Sequence, residues 1–253
     1  VLAVRQTGRG KNTSAVTVRA GVAATGAAAT AAVPATFPAD GAPSALDRAI
    51  ADPVHAALDA RSWVYEALVV PSNGYILLPL LILACVRFAR RGDLPRAATM
   101  LVVPELAVAI NTWLLKPLWG RQLDDYLAYP SGHTVHLVAI AATFVLLAEL
   151  PQARRLVCAA ASVATLAAAV GMVGLGYHHP TDILGGIAAA ITMAISLCWA
   201  AEFLGRGKTR GSTTQTYAPQ EGGVRRLDSD RPSWRLPRLR SAQHGLCRVV
   251  PPL

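Results

Sequence analysis

Charge is scarce in this 253-residue chain: 15% of its residues are charged, 6% are aromatic and only 3 are methionine. A soluble globular domain carries about a quarter charged residues, so this composition argues against that class and against a disordered polyelectrolyte. Acidic residues are scarcer still, 15 against 24 Lys and Arg, which gives +9 at pH 7. A nucleic-acid reader would spread that charge along one amphipathic face, whereas here it falls between apolar runs and in the C-terminal segment, so no nucleic-acid partner is expected. The 4 cysteines, Cys85, Cys158, Cys198 and Cys247, are unclustered, and three sit inside apolar runs. They read as small hydrophobes, which excludes a disulfide framework or a zinc knuckle. No internal repeat is present.

What the chain has is apolar length: 53% hydrophobic residues and a mean hydropathy of +0.38. Five segments, 69–88, 97–115, 134–150, 156–175 and 183–204, approach the ~20 apolar residues that cross ~30 Å of hydrocarbon. The sequence therefore predicts an all-α, polytopic membrane helical bundle with five transmembrane helices. Residues 1–37 hold a basic start and a weaker apolar stretch at 15–37, interrupted by Arg19 and Pro34. That stretch reads either as a sixth helix, spanning or anchoring, or as a signal-like segment. Residues 38–68 are amphipathic and predict a short extracytoplasmic helix lying at the interface; 69–204 form the transmembrane domain. Residues 205–253, rich in Arg, Pro, Ser and Gly, predict a disordered basic tail that anionic lipid would attract.

Charge also sets the expected topology. The loops at 87–96 and 151–155 and the tail carry the excess of Arg and Lys, so the positive-inside rule puts all three in the cytoplasm of a multi-pass cell-membrane protein. The loops at 116–132 and 176–182 then fall together on the extracytoplasmic side.

Those two loops hold three polar clusters. Pro130-Ser131-Gly132-His133 precedes an apolar run: Ser131 suits an N-cap, Gly132 allows close backbone approach, and the free N–H groups of a helix start can bind phosphate. In Tyr177-His178-His179-Pro180-Thr181-Asp182, Pro180 fits the first helical position. Asp182 is then either a first-turn acid complementing the helix dipole or the acceptor that orients His178 as a nucleophile. Lys116 and Arg121 follow an apolar run on the side where cations are disfavoured; they could snorkel to headgroups, with Trp119 beside them, or neutralise a bound phosphate. Glu105 and Asn111 lie inside a span, where packing is the expected role.

Taken together, the clusters resemble the three signature motifs of the type 2 phosphatidic acid phosphatase (PAP2) superfamily of membrane lipid phosphatases. Its first motif is Lys, six residues, Arg-Pro; its second is Pro-Ser-Gly-His; its third is Ser-Arg, five residues, His, three residues, Asp. Residues 130–133 match the second motif fully, and His178 and Asp182 match the end of the third. The resemblance implies that His178 attacks phosphorus and that Asp182 orients it. His133 would protonate the leaving lipid oxygen and then activate water, and Lys116, Arg121, Ser131 and Gly132 would bind the phosphate. It implies no metal and no cofactor, with a lipid phosphate or polyprenyl diphosphate as substrate.

The match is incomplete. The Arg-Pro of the first motif falls on Leu123-Asp124, and the Ser-Arg of the third falls on Gly171-Met172. One transition-state donor is worth on the order of 3 to 4 kcal/mol, so a catalytically impaired PAP2-like protein that binds a lipid phosphate, or acts as an assembly partner, stands as the alternative. A metal site from His133, His136, His178, His179 and Asp182 is a further reading.

Overall fold

A computed structural model describes residues 4–211 of the chain. The expected basic tail lies, from residue 212 on, outside the described residues. Nine α-helices are described: α1 (Val4–Ala32), α2 (Ala45–Leu58), α3 (Ser62–Val69), α4 (Gly74–Ala89), α5 (Leu94–Ile110), α6 (Lys116–Trp119), α7 (Gly132–Leu147), α8 (Pro151–Gly174) and α9 (Pro180–Gly211). A two-stranded hairpin, β1 (Gln122–Leu123) with β2 (Tyr126–Leu127), folds within the 116–132 loop. Its strands are antiparallel, with Gln122 opposite Leu127 and Leu123 opposite Tyr126.

Local chemistry sets the boundaries. α5, α8 and α9 begin at or beside Pro95, Pro151 and Pro180, because the first turn needs no proline N–H. These helices therefore start earlier than hydropathy alone suggested, and α9 runs past the expected boundary at residue 205 to Gly211. Pro71 ends the preceding helix in a 3₁₀ turn, Val70–Ser72, so the fourth helix begins at Gly74 rather than at residue 69. α6 ends at Gly120, whose φ of 60° is a left-handed cap. α2 opens on a reciprocal capping box: the Ser44 hydroxyl accepts from the Asp47 N–H while the Asp47 carboxylate accepts from the Ser44 N–H.

Among the described residues five helical stretches are long and apolar enough to cross a membrane: Val16–Thr36, Ala45–Ala89, Leu94–Trp119, Pro151–Gly174 and Pro180–Gly205; α7, Gly132–Leu147, is a shorter apolar helix. Large apolar side chains such as Leu78, Ile82, Leu83, Val163 and Leu166 point outward, as they do where the surroundings are hydrocarbon. The protein is a multi-pass membrane protein. Its packing relies on small residues: Ala139 on α7 meets Ala189 and Ala190 on α9 with almost no exposed surface. Leu77 and Leu81 of α4 pack with Met100 of α5 and Leu137 of α7.

The stretch that read as either a helix or a signal-like segment is a helix packed on α9. A Cβ on Gly26 would lie 2.9 Å from the Ala188 carbonyl oxygen, a separation that requires glycine there. The Thr192 hydroxyl donates to the Ala23 carbonyl at 3.2 Å, and Tyr129 Oη donates to the Thr30 carbonyl at 2.6 Å. Arg19, which interrupts the apolar run, lies 3.7 Å from Glu202.

Candidate active site

The three clusters meet at one end of the bundle. The Ser131 N–H donates to the Asp182 carbonyl at 3.0 Å, which joins the first turn of α7 to that of α9. From the hairpin, Tyr126 donates its hydroxyl to the Tyr177 carbonyl and sets its ring edge-on to His178, 6.1 Å between centroids. Burial, then the neighbouring carboxylates with Asp124 first, push the Tyr126 phenol above its usual range, so it remains a donor. Lys116 reaches back from α6 to donate to the Leu127 carbonyl and lies 6.0 Å from the Tyr126 ring centre.

Within this frame the His133 and His178 rings face one another at 6.3 Å, nearly perpendicular. His133 is exposed and His178 is buried, so one ring stands at the mouth and the other at the floor. His178 Nδ1 is 3.8 Å from Asp182 Oδ2, beyond hydrogen-bond distance. The expected His178–Asp182 hydrogen bond is thus an approach rather than a contact. Asp182 Oδ2 accepts from the His179 N–H at 2.9 Å, and Oδ1 accepts from Arg121 at 2.7 Å. Burial, and then Arg121, push the His179 imidazole down.

Arg121 is the residue whose surroundings differ most from expectation. Only 3% exposed, it does not lie free beside the two rings. Nη1 donates to Asp182 and to the Thr181 hydroxyl, both at 2.7 Å, and Nη2 donates to Asp47 Oδ2 at 3.0 Å. Its guanidinium lies 3.9 Å over the Phe37 ring. Asp47 is fully buried, and its other oxygen accepts from the Thr181 N–H at 2.8 Å. In the sequence Asp47 is one acid among several, with Asp40, Asp52, Asp59 and Glu66, on the amphipathic stretch 38–68. Its one local signal was Ser44 three residues earlier, which marks a helix start but says nothing of Arg121.

The altered motif positions have packing reasons. A Cβ on Gly171 would lie 2.6 Å from the Val69 nitrogen and 2.7 Å from the Tyr65 carbonyl oxygen, so α8 can pass α3 there only as glycine. Met172 is buried with its sulfur 3.9 Å from the Ser131 hydroxyl, which also accepts from Thr134 Oγ1 at 3.1 Å. Ser131 sits at the N-cap as expected, yet its side chain does not make the capping bond. Leu123 is a strand residue of the hairpin. Gly132 is different: a Cβ there would meet no atom within 4 Å, so the space beside it is open.

Two residues flagged inside spans find partners. Asn111 is fully buried at the start of a π-helical turn, Asn111–Leu115, and its amide donates to the Pro130 carbonyl at 3.2 Å. Glu105 pairs with His136 at 3.1 Å, which turns His136 from the His133–His178 pair toward α5. Among the described residues no group of three or more His, Cys, Asp or Glu is arranged to hold a metal ion.

A family model described as the PAP2 superfamily matches residues 111–205, the segment that contains all three clusters. No curated protein matches the chain. Among solved structures, the chain is similar to a transmembrane PAP2-type phosphatidylglycerolphosphate phosphatase from Bacillus subtilis, at a TM-score of 0.57 and 20% identity, covering 74% of this chain and 96% of that one. At that identity the likeness speaks to the fold. Residues 111–205 thus match the PAP2 superfamily, and the chain shares the fold of a transmembrane PAP2-type phosphatase.

Proposed function

We propose that the protein is a phosphatase that hydrolyses a lipid phosphate or a polyprenyl diphosphate at the extracytoplasmic face of the cell membrane. The observation that carries this reading is the facing pair of imidazoles, His133 and His178 at 6.3 Å, with Asp182 behind His178. A membrane helix bundle has no packing use for two opposed histidines, one at the mouth and one at the floor of the same site; a two-step phosphoryl transfer does. His178, with Nδ1 toward Asp182, attacks phosphorus through Nε2. The P–N bond forms as the P–O bond to the lipid breaks, and His133 gives a proton to the departing oxygen. His133 then takes a proton from water as it attacks phosphorus, the P–N bond breaks, and inorganic phosphate leaves.

Lys116, Ser131 and the Gly132 N–H are the proposed phosphate contacts, and the open space at Gly132 suits a phosphate oxygen at a helix start. Arg121, expected as a further phosphate ligand, is assigned instead to holding Asp182, because both of its terminal nitrogens already serve carboxylates. The neighbour's phosphatidylglycerolphosphate phosphatase activity supports a lipid phosphate as the substrate class. An apolar cavity of about 640 Å³ between α7, α8 and α9, lined by Val138, Val173, Ile183 and Ile187 among others and by Ile50 and Val54 of α2, supports a long hydrocarbon chain.

The test is phosphate release from a panel of lipid phosphates and polyprenyl diphosphates with chelator present, followed by acid-labile labelling of His178. Turnover lost in His178→Ala supports the reading. Binding without turnover across the panel would favour the second reading, a lipid-phosphate binder, for which the observation is that Arg121 is already committed to Asp47 and Asp182.

A further inference from the structure

We propose that Asp47, on α2 and outside the matched segment, is a positioning residue: by pairing with Arg121 it leaves Asp182 a net negative charge to present to His178. Its catalytic consequence rests on the phosphatase reading; its electrostatic consequence does not.

Charge balance in a buried place sets what Asp182 can present to His178. Arg121 is permanently protonated, and its Nη1 lies 2.7 Å from Asp182 Oδ1. Were those two alone, the pair would be neutral, and His178 would face a carboxylate whose charge was already matched. Asp47 adds a second anion at 3.0 Å on the other nitrogen of the same guanidinium. Asp47, Arg121 and Asp182 are each at most 3% exposed, so water screens these charges poorly. Two anions about one cation sum to minus one. The side of that surplus turned from Arg121 is Asp182 Oδ2, which accepts from the His179 N–H at 2.9 Å and lies 3.8 Å from His178 Nδ1. An anion there favours the positively charged ring that His178 becomes as its nitrogen bonds phosphorus.

Asp47 is also well placed to stay ionised. Its Oδ1 accepts from the Thr181 N–H at 2.8 Å and its Oδ2 from the Ser44 N–H at 2.9 Å. The first of these ties α2 to the turn that carries Asp182, and the second is the cap of α2 itself. One carboxylate therefore fixes the interfacial helix, the guanidinium and the start of α9 together. Beyond the two carboxylates, Arg121 donates to the Thr181 hydroxyl at 2.7 Å and to the Ala42 carbonyl at 3.4 Å, neither of which carries a net charge.

The experiment compares Asp47→Asn, Arg121→Gln and the double variant in the full-length protein, purified in detergent, with phosphatidate in mixed micelles as the probe. Two readouts are followed: kcat and KM, and the rate at which diethyl pyrocarbonate modifies His178, with half-exposed His55 as internal control. Asp47→Asn should lower kcat roughly tenfold or more at an unchanged KM and, at an alkaline pH where imidazoles are unprotonated, slow His178 modification, because Arg121 now neutralises Asp182. The double variant restores the net charge of minus one and should recover most of both losses.

A purely structural role predicts the reverse, a double variant worse than either single one, and that result overturns the proposal. So does Asp47→Asn with wild-type kcat and modification rate. If wild-type protein releases no phosphate from any lipid, the phosphatase reading falls, while the His178 modification rates still decide the role of Asp47. If Asp47→Asn alone does not fold, the double variant decides: His178 reactivity within a few-fold of wild type supports charge balance, and its loss refutes it.

Discussion

The Ser131 N–H lies 3.0 Å from the Asp182 carbonyl oxygen, a main-chain bond between residues that no local rule connects. It aligns the starts of α7 and α9, so the helix that carries His133 and the loop that carries His178 open onto the same space. Because the bond is main-chain to main-chain, side-chain changes at either position leave the alignment in place and act on the chemistry alone.

Two glycines should separate stability from activity. At Gly132 a Cβ meets nothing within 4 Å, and alanine suits the first turn of a helix, so Gly132→Ala should leave the melting temperature unchanged while phosphate release falls. At Gly171 a Cβ would lie 2.6 Å from the Val69 nitrogen, so Gly171→Ala should destabilise by about 1–3 kcal/mol as α8 is forced from α3. Thermal unfolding in detergent, read beside turnover, checks both; a destabilised Gly132→Ala would remove the argument for a ligand in that space.

Lys116 forms no ion pair with a carboxylate among the described residues, and its Nζ donates to the Leu127 carbonyl at the edge of the site. If it stabilises charge on the transferring phosphoryl group, Lys116→Met should lower kcat by roughly 10²–10³ with little change in folding. A drop smaller than tenfold would move that role elsewhere.

Tyr129 is fully buried, and its hydroxyl is the hydrogen bond by which the 116–132 loop holds the end of α1. Tyr129→Phe leaves the Thr30 carbonyl without that donor and should cost about 1–3 kcal/mol. Limited proteolysis should then cut preferentially between α1 and α2. A cleavage pattern identical to wild type would show that α1 is seated by its contacts with α9 alone.

Orientation is open to direct labelling. In a cysteine-free background on intact cells, an impermeant maleimide should modify Gln122→Cys in the exposed hairpin. Arg91→Cys, in the exposed turn at the other end of the bundle, should react only after permeabilisation. The opposite pattern would put the site in the cytoplasm.

The apolar runs, the basic loops and the Pro-Ser-Gly-His cluster were legible because they are local: a run of apolar residues must leave water whatever its neighbours, and a proline sets a helix start by its own geometry. From these the sequence by itself determined an all-α membrane bundle and three polar clusters, and it singled out His133, His178 and Asp182 as candidates. Tertiary structure decided what those groups touch. Asp47 and Arg121 are far apart in sequence, and a buried ion pair leaves no periodicity to read. The same holds for Gly171, whose missing side chain is explained only by the backbone of α3 against it, and for Tyr126, which a two-residue hairpin turns onto His178. Side-chain chemistry is written residue by residue, but charge balance and close contact belong to pairs, and folding chooses the pairs.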